Sequence, residues 1–259
     1  MSINPLVEIS VAVRSNWTIT EKFLNSLFET ISTYDNVAVN IIDNASTDKT
    51  VNELEKYKDK VQIFSNDTNK GFAFSHNMIL RKSRAPYSCI LHNDIVLHSG
   101  WLNTMVKYMQ DNPKVGILGV TNDVYGTFSI GGELKPDGTY EYIFLENSDT
   151  LHLDFVHSSC MLIKSQVYRT VGCFNEKYVY GGNSDKDMCV KAQDAGFKID
   201  VLKDVIIDHF CGPTARLVGL DNFAEQNRIL LLKNNEEWFK KNKGKAEFRI
   251  KHRRMSKNV

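Results

Sequence analysis

Nowhere in its 259 residues does this chain hold a run of about 18 apolar residues, so no segment reads as a bilayer-spanning helix. Met1 to Val7 lacks the basic stretch followed by an apolar one that marks a secretory leader. No GxGxxG follows an apolar run, which disfavours a dinucleotide-dependent oxidoreductase. No CxxC pair occurs either. The five cysteines, Cys89, Cys160, Cys173, Cys189 and Cys211, are odd in number and lie mostly in apolar runs. Such residues are expected as buried free thiols in a reducing compartment. Internal repeats and low-complexity linkers are absent as well. The expectation is a cytoplasmic protein, soluble or peripheral at the inner membrane surface.

Hydrophobic residues, at 42%, are enough to fill a real core, and 24% charged residues are ordinary for a soluble chain. The net charge of +1 hides an asymmetry. Residues 240–257 hold nine Lys and Arg against one acid, Glu247, so this stretch is +8 and leaves −7 on the rest. One domain over residues 1–239 with a basic tail over 240–259 is expected. A basic tail on a mildly acidic body points to an anionic partner surface.

Periodicity places the elements. Val7 to Val13 alternates and is β-rich, so it reads as a first strand. Thr18-Ile19-Thr20-Glu21 matches a capping box, and Phe23, Leu24, Leu27, Phe28 and Ile31 mark one helical face. Val37 to Ile42 is a continuous apolar strand of the kind buried in a parallel sheet. The spacing then predicts a helix over 47–57 with Val51 and Leu54 inward, and strands over 61–64, 88–91 and 115–120. Helices are predicted over 71–81 and 101–110. Strand and helix alternate for 120 residues, which argues a doubly wound, mostly parallel α/β sheet with helices on both faces. Beyond it, Lys135-Pro136-Asp137-Gly138 is a turn between two β-rich runs, a small hairpin. A strand over 155–163, a helix over 165–171 and a helix over 186–195 follow. Two strands, 197–202 and 205–207, and one long helix over 222–241 complete the expectation. Leu230, Leu231, Trp238 and Phe239 are its core candidates.

Four polar clusters stand where strands stop or helices start. Asp43 ends a buried strand, where a carboxylate can accept hydrogen bonds from a base or ribose. Ser46, Thr47 and Asp48 beside it are good helix caps, and capping explains those three without a ligand. In Asn69-Lys70-Gly71-Phe72-Ala73, Gly71 permits close backbone approach. Free N–H groups at that helix start suit a phosphate, although a plain loop would read the same way. His92-Asn93-Asp94 ends another strand, and a strand-end carboxylate can hold a divalent cation that bridges two phosphates. His209, ending a later β-rich run, would suit a manganese-type site with Asp94, though a lone histidine is often structural. Asp185 and Asp187 straddle a helix start. Helix capping accounts for both, but Asp185, expected just outside the helix, can face a cleft as a general base.

Taken in order, these runs resemble the motif segments of the inverting family 2 glycosyltransferases. The matching segments are Ile41-Ile42-Asp43-Asn44-Ala45-Ser46-Thr47-Asp48, Asn69 to Ala73 with Asn77, Leu91-His92-Asn93-Asp94, Trp101-Leu102, Gly172-Cys173-Phe174-Asn175-Glu176, Ser184 to Lys191, His209, and Ala224 to Lys233. Together they cover roughly residues 7 to 235. The rhamnosyltransferase-like branch is the most similar in flavour.

The resemblance implies a GT-A fold, a nucleoside-diphosphate sugar donor (UDP, dTDP or GDP) and a divalent metal, Mn2+ or Mg2+. It implies Asp185 as base, Asp94 with His209 at the metal, and Asp43 at the nucleoside. Arg14, Asn44, Asn69, Gly71, Asn77, His92, Asn93 and Asp187 complete the expected donor-binding set. The acceptor would be a glycan, a lipid-linked molecule or a protein. Because many relatives act on membrane-linked acceptors, an anionic membrane is the preferred partner of the basic tail; nucleic acid is not expected. His92 departs from the usual Asn or Asp, Ser184 from the usual Glu, and Asn175 from the usual Asp. The first two favour the competing reading, a catalytically silent module that binds nucleotide sugars on the same fold. A nucleotidyltransferase on a related fold would want a glycine-rich loop after the first strand, and residues 12–20 contain no glycine.

Overall fold

The computed structural model describes residues 4–32, 34–147, 152–210 and 220–242. Strands β1 (Val7–Val13), β2 (Val37–Asp43), β3 (Gln62–Ser65) and β4 (Tyr87–His92) are followed by the short β5 (Ile95–Val96). Then come β6 (Val115–Val124), β7 (Thr127–Leu134), β8 (Tyr140–Phe144), β9 (Cys160–Lys164) and β10 (Lys198–His209). The sheet order is β3-β2-β1-β4-β9-β6-β10-β5, with the β7–β8 hairpin attached through β6. The first four strands in that order are parallel, whereas β9 runs antiparallel to both its neighbours.

The helices are α1 (Trp17–Ile31), α2 (Thr50–Leu54), α3 (Gly71–Leu80), α4 (Trp101–Asp111), α5 (Ser165–Val171), α6 (Ser184–Asp194) and α7 (Ala224–Asn234). They lie on both faces, and the period of two in the strands serves two cores. In β4, Cys89 and Leu91 pack with Phe23, Leu24 and Leu27 of α1 and with Met105 of α4. Ile90, pointing the other way, joins Leu80, Val167, Met188 and Leu231 from α3, α5, α6 and α7. Burying such faces on both sides is what makes the central strands read as unbroken apolar runs.

Several local expectations are corrected. The capping box at Thr18 to Glu21 is not used; α1 begins at Trp17, after Ser15 and Asn16 in left-handed backbone. Asp48 supplies the cap instead, accepting from the Trp17 N–H at 3.2 Å and the Thr50 N–H at 3.0 Å. The helix expected over 47–57 is only α2 plus a 3-10 turn, and Val51 faces outward. The strand expected from Phe155 starts at Cys160, because residues 157–159 turn along the site. The two strands expected near 200 are one, β10, carrying a bulge between Leu202 and Ile206. The long C-terminal helix breaks at Asn235, whose side chain bonds Asp187 Oδ1 and the Leu231 carbonyl. Trp238 and Phe239 are buried in helical residues 236–242, which include Lys240 and Lys241. The remainder of the basic tail, 243–259, and Cys211 lie outside the described residues.

Candidate active site

Parallel register brings the polar strand ends to one edge. Val13 pairs with Asp43 and Ala12 with His92, so the loops after β1, β2 and β4 open together. They form one wall of a cavity of about 650 Å³. The hairpin, residues 180–183, the start of α6, the end of β10 and the start of α7 close it.

The cavity brings together Arg14, Asn44, Asn69, Gly71, His92, Asn93, Asp94, Asp185 and His209. Asp43, Asn77 and Asp187 are not among its lining residues. Asp43 is buried and accepts from the Ser46 N–H at 3.1 Å, shaping the turn. Asn77 donates to the Phe174 carbonyl and to Glu176 Oε1, both at 2.8 Å, and accepts from the Phe174 N–H. It clamps α3 to the loop before α6. Asp187 accepts from the Tyr178 hydroxyl at 3.0 Å and Asn235 at 2.8 Å, and pairs with Lys191 at 2.6 Å. That contact with Asp187 and burial hold the Tyr178 hydroxyl well above the ordinary phenol range, with burial the larger cause.

At the β1 side, the Arg14 guanidinium donates to the carbonyls of Asn44 and Ala45 at 2.8 and 2.9 Å. Asn44 donates to Asn69 at 2.7 Å and accepts from the Lys70 N–H. Asn69 also accepts from the Gly71 N–H at 3.0 Å. Two N–H groups expected to be open to a phosphate at this helix start are therefore already bonded to side chains. Gly71 has φ +78°, and a Cβ there would meet the Tyr180 backbone at 3.1 Å, so close approach of two loops requires it.

At the centre, His209 Nε2 and His92 Nδ1 stand 3.4 and 3.7 Å from Asp94 Oδ1. One ligand atom from each of the three lies within 4.8 Å of the others. Two ligands bound at about 2.1 Å to one ion are at most about 4.2 Å apart, so both contacts with Asp94 suit a shared cation. Two imidazoles and a carboxylate are the donors of a transition metal site. Burial pushes the His92 imidazole below its ordinary value, against the opposing pull of Asp94. Asn93 points elsewhere, donating to the Thr20 hydroxyl at 2.8 Å.

On the far side, α6 starts two residues earlier than expected, so Asp185 stands in its first turn. It lines the cavity all the same. Its Oδ1 accepts from the Lys186 N–H at 2.8 Å, and its Oδ2 lies 3.4 Å from the Ser158 hydroxyl. The buried Lys186 ammonium sits 3.6 Å from Asp185 Oδ1 and over the rings of Tyr140 and Phe155. Ser184 is buried, and its hydroxyl donates to the Gly181 carbonyl at 2.6 Å. The residue that replaces the family's usual acid thus braces the loop.

Sequence reading missed His157, Ser158, Tyr140 and Tyr142, all in the lining. The polar run His157-Ser158-Ser159 inside an expected strand was the available signal. Burial lowers the His157 imidazole to about 3.

The mixed α/β architecture, a central sheet with helices on both faces, is that of the GT-A fold, the class shared by the solved structures this chain resembles. The mannosyltransferase PcManGT from Pyrobaculum calidifontis, solved with GDP-Man and Mn2+, superposes with a TM-score of 0.63 at 14% identity. That match covers 93% of this chain and 76% of the other. GalNAc-T7, solved with UDP, GalNAc and Mn2+, gives a TM-score of 0.66 at 10% identity over 81% of this chain and 44% of that one. The sequence match is more specific: the model of glycosyl transferase family 2 matches residues 9–172, and the chain belongs to that family. An uncharacterized glycosyltransferase of Haemophilus influenzae is 25% identical over 186 residues, 68% of this chain and 57% of that protein. The chain thus spans little more than half of that relative's length.

Proposed function

We propose that this chain is an inverting, metal-dependent glycosyltransferase. It moves a hexosyl or deoxyhexosyl group from a nucleoside-diphosphate donor to a hydroxyl of a glycan, lipid-linked or protein acceptor. The observation that carries the reading is the shared cavity: Asp94 and His209 lie in it with ligand atoms close enough to share a cation, and Asp185 lines the same space from α6. Neighbours of the same fold were solved with GDP-Man or UDP together with Mn2+, which supports a nucleotide-sugar donor.

Arg14, Asn44, Asn69 and Gly71 would shape the nucleotide end, and Asn93 supports the loop from beneath. A divalent cation, Mn2+ or Mg2+, held by Asp94 and His209, would offset charge on the departing diphosphate. Asp185 accepts the acceptor hydroxyl proton as the new bond forms between acceptor oxygen and anomeric carbon. The bond from that carbon to the diphosphate oxygen breaks in the same step, on the opposite face, so configuration inverts. Asp43, Asn77 and Asp187 act behind the cavity wall.

Asp185→Asn tests the assignment. It is expected to keep metal-dependent donor affinity while losing transfer by roughly 10²-fold or more. Near-normal turnover would reject Asp185 as base, and product of retained configuration by proton NMR would reject single displacement. A thermal-shift panel of UDP, GDP, dTDP and CDP sugars with Mn2+ identifies the donor base.

A further inference from the structure

His92 is one of the positions where this chain departs from the motif it resembles, and its two ring nitrogens face two different parts of the site. Nδ1 stands 3.7 Å from Asp94 Oδ1, beside His209. Nε2 stands 3.3 Å from the Ser158 hydroxyl, which is itself 3.4 Å from Asp185 Oδ2. These are long contacts, but they form an unbroken polar line from the cation cluster to the candidate base.

Geometry gives that line a direction. A carboxylate accepts, so the Ser158 hydroxyl donates to Asp185 Oδ2. The Ser158 oxygen stands within reach of His92 Nε2, which leaves Nδ1 as the ring nitrogen that faces the Asp94 carboxylate. A cation held by Asp94 and His209 would lie within reach of Nδ1, since one ligand atom from each of the three residues lies within 4.8 Å of the others. A histidine ligand whose other nitrogen donates to an oxygen is the arrangement that metal sites use to set tautomer and ring orientation.

Resting on the glycosyltransferase reading above, we infer that His92 is a third metal ligand through Nδ1 and that Ser158 is a positioning residue coupling this ligand to Asp185. His92 then belongs to the metal rather than to the donor-binding set in which the resemblance places it. With two imidazoles in the donor set, the site prefers Mn2+ over Mg2+.

Mn2+ binding to the full chain, followed by the electron paramagnetic resonance signal of free Mn2+, tests this without turnover. His92→Asn is expected to weaken Mn2+ affinity tenfold to a hundredfold and Ser158→Ala to weaken it about tenfold. Asp185→Asn should change Mn2+ affinity in the parent chain by a factor that shrinks in the Ser158→Ala background. Each variant is first matched to the parent by thermal unfolding. Should His92→Asn lose its fold, Ser158→Ala, which removes one oxygen, carries the same test.

Parent-like affinity in His92→Asn, with loss in Asp94→Ala, would overturn the third ligand while leaving the proposed function intact. Independent effects of Ser158→Ala and Asp185→Asn would overturn the coupling. Parent-like affinity in Asp94→Ala would remove the metal site itself, and the function built on it.

Discussion

At the scale of single residues, buried polar groups at the cavity wall set how the fold answers to acid. His76 is 1% exposed, within 2.8 Å of the Ser10 hydroxyl and packed against Phe72 and Phe174. Burial lowers its imidazole to about 3, with His92 nearby adding to the effect. The unfolded chain therefore takes up a proton near pH 6.5 that the folded chain refuses. The contribution of this group is fully present above that pH and is lost as pH falls toward 3, by up to about 1.4 kcal/mol per pH unit. Urea unfolding at pH 7, 6 and 5 should show His76→Gln losing stability less steeply than the parent. Equal slopes would show that His76 is not held neutral by the fold. Tyr140 and Tyr142 were not recognisable as site residues, because alternation along a strand says which side chains share a face, not what stands opposite that face.

At the scale of elements, α6 separates two carboxylates that are only two residues apart. Successive helix positions point in different directions, so Asp185 faces the cavity and Asp187 the interior. Asp187 ties α6 to Tyr178, Asn235 and Lys191, and so fixes the angle at which Asp185 is presented. Asp187→Ala leaves three donors without their acceptor and is expected to cost about 3 kcal/mol, read as a lowered thermal midpoint. Asp185→Asn should leave that midpoint close to the parent's. The reverse pattern would exchange the two roles. The sequence pairs Asp185 with Asp187 but cannot rank them, since both satisfy a helix start equally well. The partner that decides, Asn235, lies far along the chain. Reading α6 two residues short left Asp185 outside the element that aims it into the cavity.

At the scale of the molecule, the charge asymmetry remains to be placed. We propose that the basic tail docks the enzyme on an anionic surface, with membrane lipid the preferred partner. Each basic residue near such a surface contributes about 1 kcal/mol, so partial engagement is enough to localise the protein. Among the described residues no helix is long and apolar enough to cross a membrane. Truncation after Asn242 preserves helical residues 236–242 and should leave donor hydrolysis unchanged while reducing salt-sensitive sedimentation with anionic liposomes. A full-length chain that ignores such liposomes at low salt would reject lipid and favour an anionic glycan or a partner chain.

What the chain determined by itself was local and periodic. Strands β1, β2 and β4, helices α1, α3 and α4, the hairpin turn and the strand-end polar clusters follow from apolar spacing, and the order of those clusters marked the family. Such signals are carried by neighbours in sequence. Tertiary structure decided everything that depends on distant partners. It placed His92 beside Asp94 and His209, drew Asn77 and Asp187 out of the cavity into buried hydrogen bonds, and set Ser158 between His92 and Asp185. Residues 66 and 27 positions apart meet there because β4, the run before β9 and α6 converge on one edge of the sheet, an arrangement that sequence spacing does not encode.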